Sequence, residues 1–371
     1  MVAKLSLDDL RACVLGGAIL GGGGGGSRQL GMELGTMALE AGSVELLSPN
    51  EVSNDLILIT CALVGAPAAN SACTRPAHFL RAVELLLANL GLSRDEVGLI
   101  TNENGGAATI NGWYQAAKLE LPLVDIPCNG RAHPMAIMGA MGLENREGYL
   151  SRQAVAGGDD QAGRYLELTL SARLDLASRA VRHLAQEAGG LAAVARNPVD
   201  AGYAKEYGAP GAIAQAREIG RAWYSQDYPR QRIEAAMAVV GGQIVAEGIL
   251  QAVDLETRGG FDVGKAMIDN APATVPTVGP PGRPQGYPME IPFWNEYVRV
   301  TAGAERLGAF PDLIGIFGPD GFPVSSAELA AHRGRQVHIT VAPSECLLLG
   351  EGVRSGRYLR DVEKAVGVSL R

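Results

Sequence analysis

The sequence lacks three features that would assign it to familiar functional classes. It contains no stretch of at least 18 apolar residues, so we expect no membrane-spanning helix. Lys and Arg (32) are fewer than Asp and Glu (40), and the net charge of −8 argues against binding to a nucleic-acid backbone. The chain opens with a polar helical pattern rather than a basic stretch followed by an apolar one, which predicts that no signal peptide is present.

Cysteine motifs are also missing. The cysteines are odd in number, widely scattered and never spaced as CxxC: Cys13, Cys61, Cys73, Cys128 and Cys346. This usage is typical of a reducing compartment and provides no ready-made zinc site. We therefore predict a cytoplasmic protein whose partners include neither nucleic acid nor membrane.

The first half of the chain contains a regular alternation of strand and helix patterns. The continuous apolar run 56–64 is typical of a strand buried on both faces. Further strands are predicted at 97–101 and 123–126, and helices at 6–20, 29–41, 76–90, 107–120 and from 134 onward. This βαβαβα order predicts a parallel sheet with right-handed crossovers. A helix at 174–187, an apolar run at 191–195 and a helix at 212–224 extend the same domain.

The pattern changes beyond about Pro229. Strands without intervening helices are predicted at 243–255, 260–268, 289–301, 313–317 and 336–341, with an irregular loop at 272–288. Such an order indicates an antiparallel sheet or small barrel. The predicted fold class is therefore α/β plus β: a parallel-sheet α/β domain over 1–228 that carries the site, and a β-rich, barrel-like domain over 229–371.

Polar residues collect on three loops that follow the predicted parallel strands, at 65–75, 102–106 and 127–133. In open α/β sheets, ligands bind in the crevice outside the carboxyl ends of the strands. The shared position of these loops predicts a binding site for a small-molecule substrate at this edge of the sheet.

The second and third loops hold the residues best suited to chemistry. Glu103 lies between Asn102 and Asn104, an arrangement that can hold a substrate or a metal ion. The alternative is that either asparagine caps the next helix while Glu103 favours its positive end. Asp125 ends the third strand, and Arg131 either clamps a substrate carboxylate or pairs with Asp125 as scaffold.

Two further pairs of residues have a catalytic and a structural interpretation. Cys128 and His133 lie five residues apart, which permits a thiol nucleophile with a histidine base, although buried cysteines are more often structural. His133 can also serve as a metal ligand. Asn295 and Glu296 interrupt an apolar strand, so they either reach the cleft between the domains or have partners within the scaffold.

The run of six glycines at 21–26 satisfies GxGxxG trivially. It follows a helix rather than a strand and lacks a Gly-Lys-Ser/Thr ending, so we expect no nucleotide cofactor. Gly23, Gly24 and Gly25 can present backbone amides to an anion at the start of the next helix. The alternative is a flexible linker between two helices.

Several of these segments, taken in order, resemble one family. They are Leu20 to Gly26, Gly65-Ala66-Pro67, Asn102 to Gly106, Asp125 with Gly130-Arg131-Ala132, Gly259-Gly260-Phe261, Phe293-Trp294-Asn295-Glu296 and Pro311-Asp312-Leu313-Ile314. The chain is similar over nearly its whole length to the S-methyl-thiohydantoin desulfurase-like family. The resemblance implies an N-terminal α/β domain, a C-terminal barrel-like domain and hydrolysis of a cyclic S-methyl thiohydantoin.

The sequence departs from the family pattern at three charged positions. Thr74-Arg75 stands where the family usually has Glu-Lys, Pro127 where it has a second acid, and Met135 where it has a glutamate. Glu103 and Asp125 match acidic positions that remain. The departures imply that this protein has changed its substrate or lost the reaction.

Our hypothesis from the sequence is a hydrolase acting on a C–N or C–S bond of a small cyclic amide. Glu103 would be the general base, Asp125 a second acid and Arg131 a substrate clamp, with glycine amides facing developing negative charge. A divalent metal ion, if used, would be held by Glu103, Asp125 and His133 from separate loops. The alternative is a non-catalytic small-molecule-binding protein or a partner of a hydantoinase. In either case we expect a homo-oligomer, with a dimer as the simplest state.

Overall fold

The computed structural model describes residues 3–65, 71–258, 261–269 and 287–370. Its first sheet has eight strands in the order β1-β2-β5-β4-β3-β8-β6-β7. The strands are β1 (Ala3–Lys4), β2 (Glu45–Leu47), β3 (Ile57–Gly65), β4 (Val97–Thr101), β5 (Leu123–Val124), β6 (Ser151–Gly157), β7 (Leu166–Ala172) and β8 (Leu191–Asp200).

The predicted parallel arrangement is confirmed only in the centre of this sheet. Strands β2, β5, β4 and β3 are parallel, whereas β1, β8, β6 and β7 pair antiparallel. The sheet is therefore mixed. The β6–β7 hairpin was not predicted, although β7 shows the alternating burial of a strand with one covered face.

Helices lie on both sides of this sheet and continue after it. They are α1 (Leu7–Gly21), α2 (Arg28–Ala41), α3 (Pro76–Leu90), α4 (Trp113–Leu119), α5 (Leu174–Glu187), α6 (Ala201–Tyr207), α7 (Ala212–Tyr224), α8 (Pro229–Ala238), α9 (Glu351–Arg354) and α10 (Gly356–Val366). Ser6 caps α1 by accepting from the backbone of Asp9, whose carboxylate in turn accepts from the backbone of Ser6. None of the helices in the described ranges combines the length and apolarity needed to cross a membrane.

The predicted helix 107–120 was wrong in its first half. Residues Ala108–Ile110 form a 3-10 turn, and α4 begins only at Trp113. Gly112 has φ +92°, outside the helical region, which separates the two pieces. The helix predicted from residue 134 is likewise a short 3-10 turn, Ala136–Gly139.

The second sheet is antiparallel and curls into a half-barrel, so the prediction of a separate β-rich, barrel-like domain is confirmed. Its order is β14-β13-β11-β10-β9-β16-β15, with β12 paired to β11. The strands are β9 (Gln243–Arg258), β10 (Phe261–Asp269), β11 (Met289–Trp294), β12 (Glu296–Tyr297), β13 (Arg299–Ala302), β14 (Glu305–Ala309), β15 (Leu313–Phe317) and β16 (Gln336–Ala342).

Two details of the β-rich region differ from, or lie beyond, the sequence prediction. The single strand predicted at 289–301 is three short strands, because Asn295 has φ +55° and reverses the chain after β11. Residues 259–260, and 270–286 of the predicted irregular loop, lie outside the described residues. The boundary at residue 228 remains a prediction.

The glycine loop, defined here as residues 22–26, connects the two sheets. Gly22 O accepts a hydrogen bond from Tyr297 N at 2.7 Å, and Gly23 O accepts one from Ser326 N at 2.9 Å. On the other side, Gly25 O accepts from Ala107 N and Ala108 N. The loop therefore lies between the half-barrel and the segment that follows β4, and it positions the site described next.

Candidate active site

The glycine loop has no space for side chains. A Cβ atom on Gly24 would lie 1.9 Å from Glu296 Oε1, and one on Gly22 would lie 2.8 Å from Arg131 Nη2. A Cβ on Gly25 would lie 2.5 Å from the Cα atom of Gly105. Glycine is therefore required because charged side chains and a second backbone segment approach this closely. The loop is held from both sides, which is not the geometry of a flexible linker; whether its amides contact a ligand remains a prediction.

Glu103 and His133 meet at the carboxyl end of β4. The backbone N–H of His133 donates to Glu103 Oε2 at 3.3 Å, and His133 Nε2 lies 3.1 Å from the same oxygen without the alignment of a hydrogen bond. The histidine ring is packed against Gly139, where a Cβ would lie 2.3 Å from Nε2. Both ring nitrogens are buried and lack a hydrogen-bond partner in the described structure. The sequence prediction placed these two residues in one site, and the structure brings them together.

Arg131 and Glu296 lie on the half-barrel side of the glycine loop. The Arg131 side chain is fully buried and its Nη1 donates to Pro311 O at 2.9 Å and to Asp312 O at 2.5 Å. Its Nη2 atom and Glu296 Oε2 are both buried and lack hydrogen-bond partners in the described ranges. Nη1 therefore links Arg131 to the half-barrel backbone, while Nη2 faces the glycine loop.

Burial and neighbouring charges shift the pKa values of this cluster. Burial raises the pKa of Glu103 to about 7, against opposing effects of the His133 N–H and of nearby arginines. The pKa of Glu296 is raised well above its usual range by burial and by the neighbouring Glu103 carboxylate. Burial lowers the pKa of His133 to about 3 and that of Arg131 to about 10. At neutral pH the histidine is therefore neutral, and burial favours the protonated form of both Glu103 and Glu296.

Arg196 was not identified from the sequence but belongs to this cluster. It lies within β8, is 4% exposed, and its charge lowers the pKa values of Glu103 and His133. Its Nε atom is buried without a hydrogen-bond partner among the described residues. The available signal was an arginine directly after the apolar run 191–195, since charged residues need partners when buried.

Other predicted residues are engaged in the scaffold. Both carboxylate oxygens of Asp125 accept backbone hydrogen bonds at the start of α7, from Ile213 N at 2.7 Å and Ala214 N at 3.0 Å. Burial raises the pKa of Asp125 to about 6. Asn104 donates to Gly130 O and Ala212 O, and its own oxygen accepts from Thr109.

Asn102, Asn295 and Cys128 also have structural partners. Asn102 Oδ1 accepts from the side chain of Asn111. Asn295 exchanges two hydrogen bonds with the backbone of Asp262 on β10, which fixes the turn after β11. The Cys128 thiol lies 3.2 Å from Thr60 Oγ1, and burial raises its pKa to about 11. A thiol with this pKa is protonated at neutral pH, which does not favour a role as nucleophile.

The predicted metal ligands are not gathered as a set. Glu103 and His133 are adjacent, whereas Asp125 caps α7. Within the part of the chain that the structure describes, no group of three or more His, Cys, Asp or Glu side chains has the arrangement of a metal site. Binding of a divalent metal ion at this site remains a prediction.

Two of the three departures from the family pattern, Thr74-Arg75 and Met135, have the following environments. Arg75 forms ion pairs with Asp159 at 2.6 Å and Asp160 at 2.7 Å, so it is held at the surface. The side chain of Thr74 has a buried hydroxyl without a partner in the described ranges, and Met135 is half-buried. Residues 66–70, in the loop that leads to Thr74, lie outside the described residues.

A surface cavity of about 390 Å³ is lined by residues 306–312, Leu359 and Leu370. None of the residues that line this cavity has a buried side-chain N or O atom without a hydrogen-bond partner in the described ranges. We place the candidate site at the cluster of Glu103, His133, Arg131, Glu296 and Arg196, because buried polar atoms without partners are rare and indicate a missing ligand or water.

Two family models match consecutive parts of the chain. Residues 8–161 match the S-Me-THD-like N-terminal domain, and residues 173–353 match the S-Me-THD-like C-terminal domain. The fold is similar to that of a protein from Chromobacterium violaceum solved by X-ray crystallography, with a TM-score of 0.70, 18% identity, and coverage of 98% of this chain and 96% of that chain. At that identity the likeness concerns the fold alone. No curated protein matches this sequence.

Proposed function

This chain belongs to the S-Me-THD-like family, and from that premise we propose that it is a hydrolase of a small cyclic amide related to hydantoins. The bond cleaved would be a C–N or C–S bond at a ring carbon. The proposal requires a site that can activate water and protonate a leaving atom at neutral pH.

The single observation that supports the proposal best is the pair of buried carboxyl groups, Glu103 and Glu296. Burial raises the pKa of both groups, that of Glu103 to about 7, and the Glu103 carboxylate raises the pKa of Glu296 further, so the pair favours holding a proton near neutral pH. Two neighbouring carboxyl groups that share a proton can supply a general base and a general acid together. Arg131 interacts electrostatically with both carboxyl groups, and Arg196 with Glu103.

In the proposed reaction, Glu103 removes a proton from water as the water oxygen forms a bond to the ring carbon. The bond from that carbon to nitrogen or sulfur then breaks with its electron pair going to the leaving atom. Glu296 donates the proton that this atom requires, and the proton on Glu103 returns to Glu296. One water is consumed, and no other reactant is needed.

These assignments revise two roles expected from the sequence. Glu296 replaces Asp125 as the second acid, because both Asp125 oxygens accept backbone hydrogen bonds at α7. Arg131 stabilises negative charge electrostatically and is not a two-pronged clamp for a substrate carboxylate. Its Nη1 already donates to two backbone carbonyls. Its free Nη2 faces the glycine loop and favours negative charge there.

A second candidate function is non-catalytic binding of a small molecule, including as a partner of a hydantoinase. It is favoured by the loss of family acids at Pro127 and Met135 and by the engagement of Arg75 with Asp159 and Asp160. Both candidates share the site and the class of ligand.

The test is to incubate purified protein with S-methyl thiohydantoins, hydantoins and lactams and to quantify products by mass spectrometry. Under the proposal, Glu103→Gln and Glu296→Gln each reduce turnover by roughly 10²-fold, the scale of a lost acid–base group. Glu40→Gln, an exposed glutamate on α2, is the matched control and keeps full activity. Ligand binding without turnover supports the second candidate, and turnover that survives both substitutions refutes the proposed roles.

A further inference from the structure

A row of three buried polar side chains crosses the first sheet beside the candidate site. Thr60 on β3 pairs with Arg196 on β8, and Arg196 pairs with Gln153 on β6. Residues directly opposite one another on neighbouring strands point to the same face of a sheet. All three are at most 4% exposed. The row separates two apolar clusters on that face, one containing Leu58, Val199 and Cys128 and the other Ala62, Val155 and Val194.

Two adjacent side chains in this row each have an atom without a partner among the described residues, and the two atoms have opposite polarity. Arg196 Nε is a buried donor, and Gln153 Oε1 is a buried acceptor. The other atoms of Gln153 are engaged, because its Nε2 donates to Ser151 Oγ at 2.8 Å, and Ser151 donates to Asn197 at 2.7 Å. Buried donors and acceptors are rarely left unsatisfied in native proteins, so this pair indicates a ligand with the complementary groups.

We infer that Arg196 and Gln153 bind the N–H/C=O edge of the cyclic substrate. The ring carbonyl would accept from Arg196 Nε–H, and the adjacent ring N–H would donate to Gln153 Oε1. A small ring holds its amide in the cis form, so donor and acceptor point to the same side and can meet two neighbouring side chains at once. The inference rests on the proposed function for its choice of ligand, and it names the residues that would recognise that ligand.

The position of Arg196 connects this recognition to the chemistry. Arg196 is the strand neighbour of Thr60, whose hydroxyl contacts the Cys128 thiol at 3.2 Å, and its charge influences the pKa of Glu103, the carboxylate proposed to activate water. A carbonyl held by Arg196 would therefore lie near that water. The guanidinium would also stabilise negative charge that develops on the carbonyl oxygen during attack.

The test compares three ligands of nearly equal shape: 2-pyrrolidinone, N-methyl-2-pyrrolidinone and γ-butyrolactone. Only the first has both groups of the amide edge. Binding to the full chain is followed by NMR titration of the ¹⁵N-labelled arginine Nε–Hε signals, with hydantoin as a fourth ligand. We expect wild-type protein to bind hydantoin and 2-pyrrolidinone, and to bind the N-methyl and lactone analogues roughly tenfold or more weakly.

Variants assign this discrimination to the two residues. Gln153→Met should weaken binding of 2-pyrrolidinone and abolish the difference from its N-methyl analogue, as a double-mutant cycle requires. Gln153→Glu keeps an acceptor at this position, so it should still bind 2-pyrrolidinone more tightly than the N-methyl analogue. This second variant keeps the test valid if Gln153→Met fails to fold. Arg196→Met should weaken all carbonyl ligands. Gln215→Met is the matched control, since Gln215 also has a buried Oε1 without a partner but lies on α7.

The inference is overturned if hydantoin does not bind, if N-methylation leaves affinity unchanged, or if the Gln153→Met protein discriminates like the wild type. These outcomes are separable from failure of the proposed function. Binding with the expected cycle but without hydrolysis rejects the hydrolase and retains the amide-edge site. Hydrolysis with no effect of Gln153→Met or Arg196→Met on affinity rejects the site and retains the hydrolase.

Discussion

Replacing Glu103 by glutamine should make the protein more stable at pH 7 to 8 while reducing its turnover by roughly 10²-fold. The side chain is only 13% exposed, and burial raises its pKa from 4.5 to about 7. A carboxyl group with a raised pKa in the folded state binds its proton more tightly when folded than when unfolded. Its contribution to stability is therefore fully present below pH 4.5 and is lost as the pH rises to about 7.

The size of this effect follows from the pKa difference. A change from 4.5 to about 7 corresponds to about 3 kcal/mol of unfolding free energy, as an upper value for a group that interacts with other charges. Glutamine is neutral at every pH and can still accept from the His133 N–H. We therefore expect Glu103→Gln to match the wild type near pH 4 and to exceed it by up to about 3 kcal/mol at pH 8.

Urea unfolding at a series of pH values between 4 and 8 measures this difference directly. Glu40→Gln, on the exposed face of α2, serves as the control and should leave the pH dependence of the wild type unchanged. If the difference between Glu103→Gln and wild type is the same at pH 4 and pH 8, then Glu103 ionises normally and our electrostatic description of the site is incorrect.

Three further predictions address the surrounding residues. Asp125→Ala should lower the unfolding free energy by about 1–2 kcal/mol through loss of the α7 cap, and folded protein should keep its activity; loss of activity with an unchanged melting temperature would contradict this role. Cys128→Ser should retain activity, and the Cys128 thiol should react slowly with iodoacetamide at pH 7, because burial raises its pKa to about 11; fast labelling would restore the thiol mechanism. Gly24→Ala should destabilise the protein by about 1–3 kcal/mol in thermal melts, because its Cβ would overlap Glu296. Gly21→Ala should be tolerated, because its Cβ would meet its nearest atom at 3.6 Å. Equal melting temperatures of the two variants would argue against the close packing of the glycine loop.

Much of the fold could be predicted from local patterns. The helix from Pro76 to Leu90, with proline at its first turn and Gly91 after its end, and the buried strand after residue 56 were predicted within one residue. These elements depend on apolar periodicity and on capping groups, both of which act within a few residues. The family was likewise predicted correctly, because its motifs extend over nearly the whole chain.

Only the tertiary structure decided which polar residues form the site. Glu103 and His133 meet because the loops after β4 and β5 meet at one edge of the sheet, an arrangement that strand order predicts. Asp125 looked equally suitable in sequence, yet its oxygens accept from the start of α7, nearly 90 residues later. Glu296 faces Gly24 from the other domain, and no local pattern records which domain surface will pack on a glycine loop.

Arg196 and Gln153 are a second example of residues whose role only the tertiary structure reveals. Each residue by itself is one polar side chain in a strand, with many structural explanations. Their significance arises from the register of β6 against β8, which aligns an unpaired donor with an unpaired acceptor. Register depends on hydrogen bonds between segments about 40 residues apart and on the packing of both faces of the sheet. The sequence by itself therefore determined the elements and the family, while the pairing of strands and domains decided which side chains share a buried space.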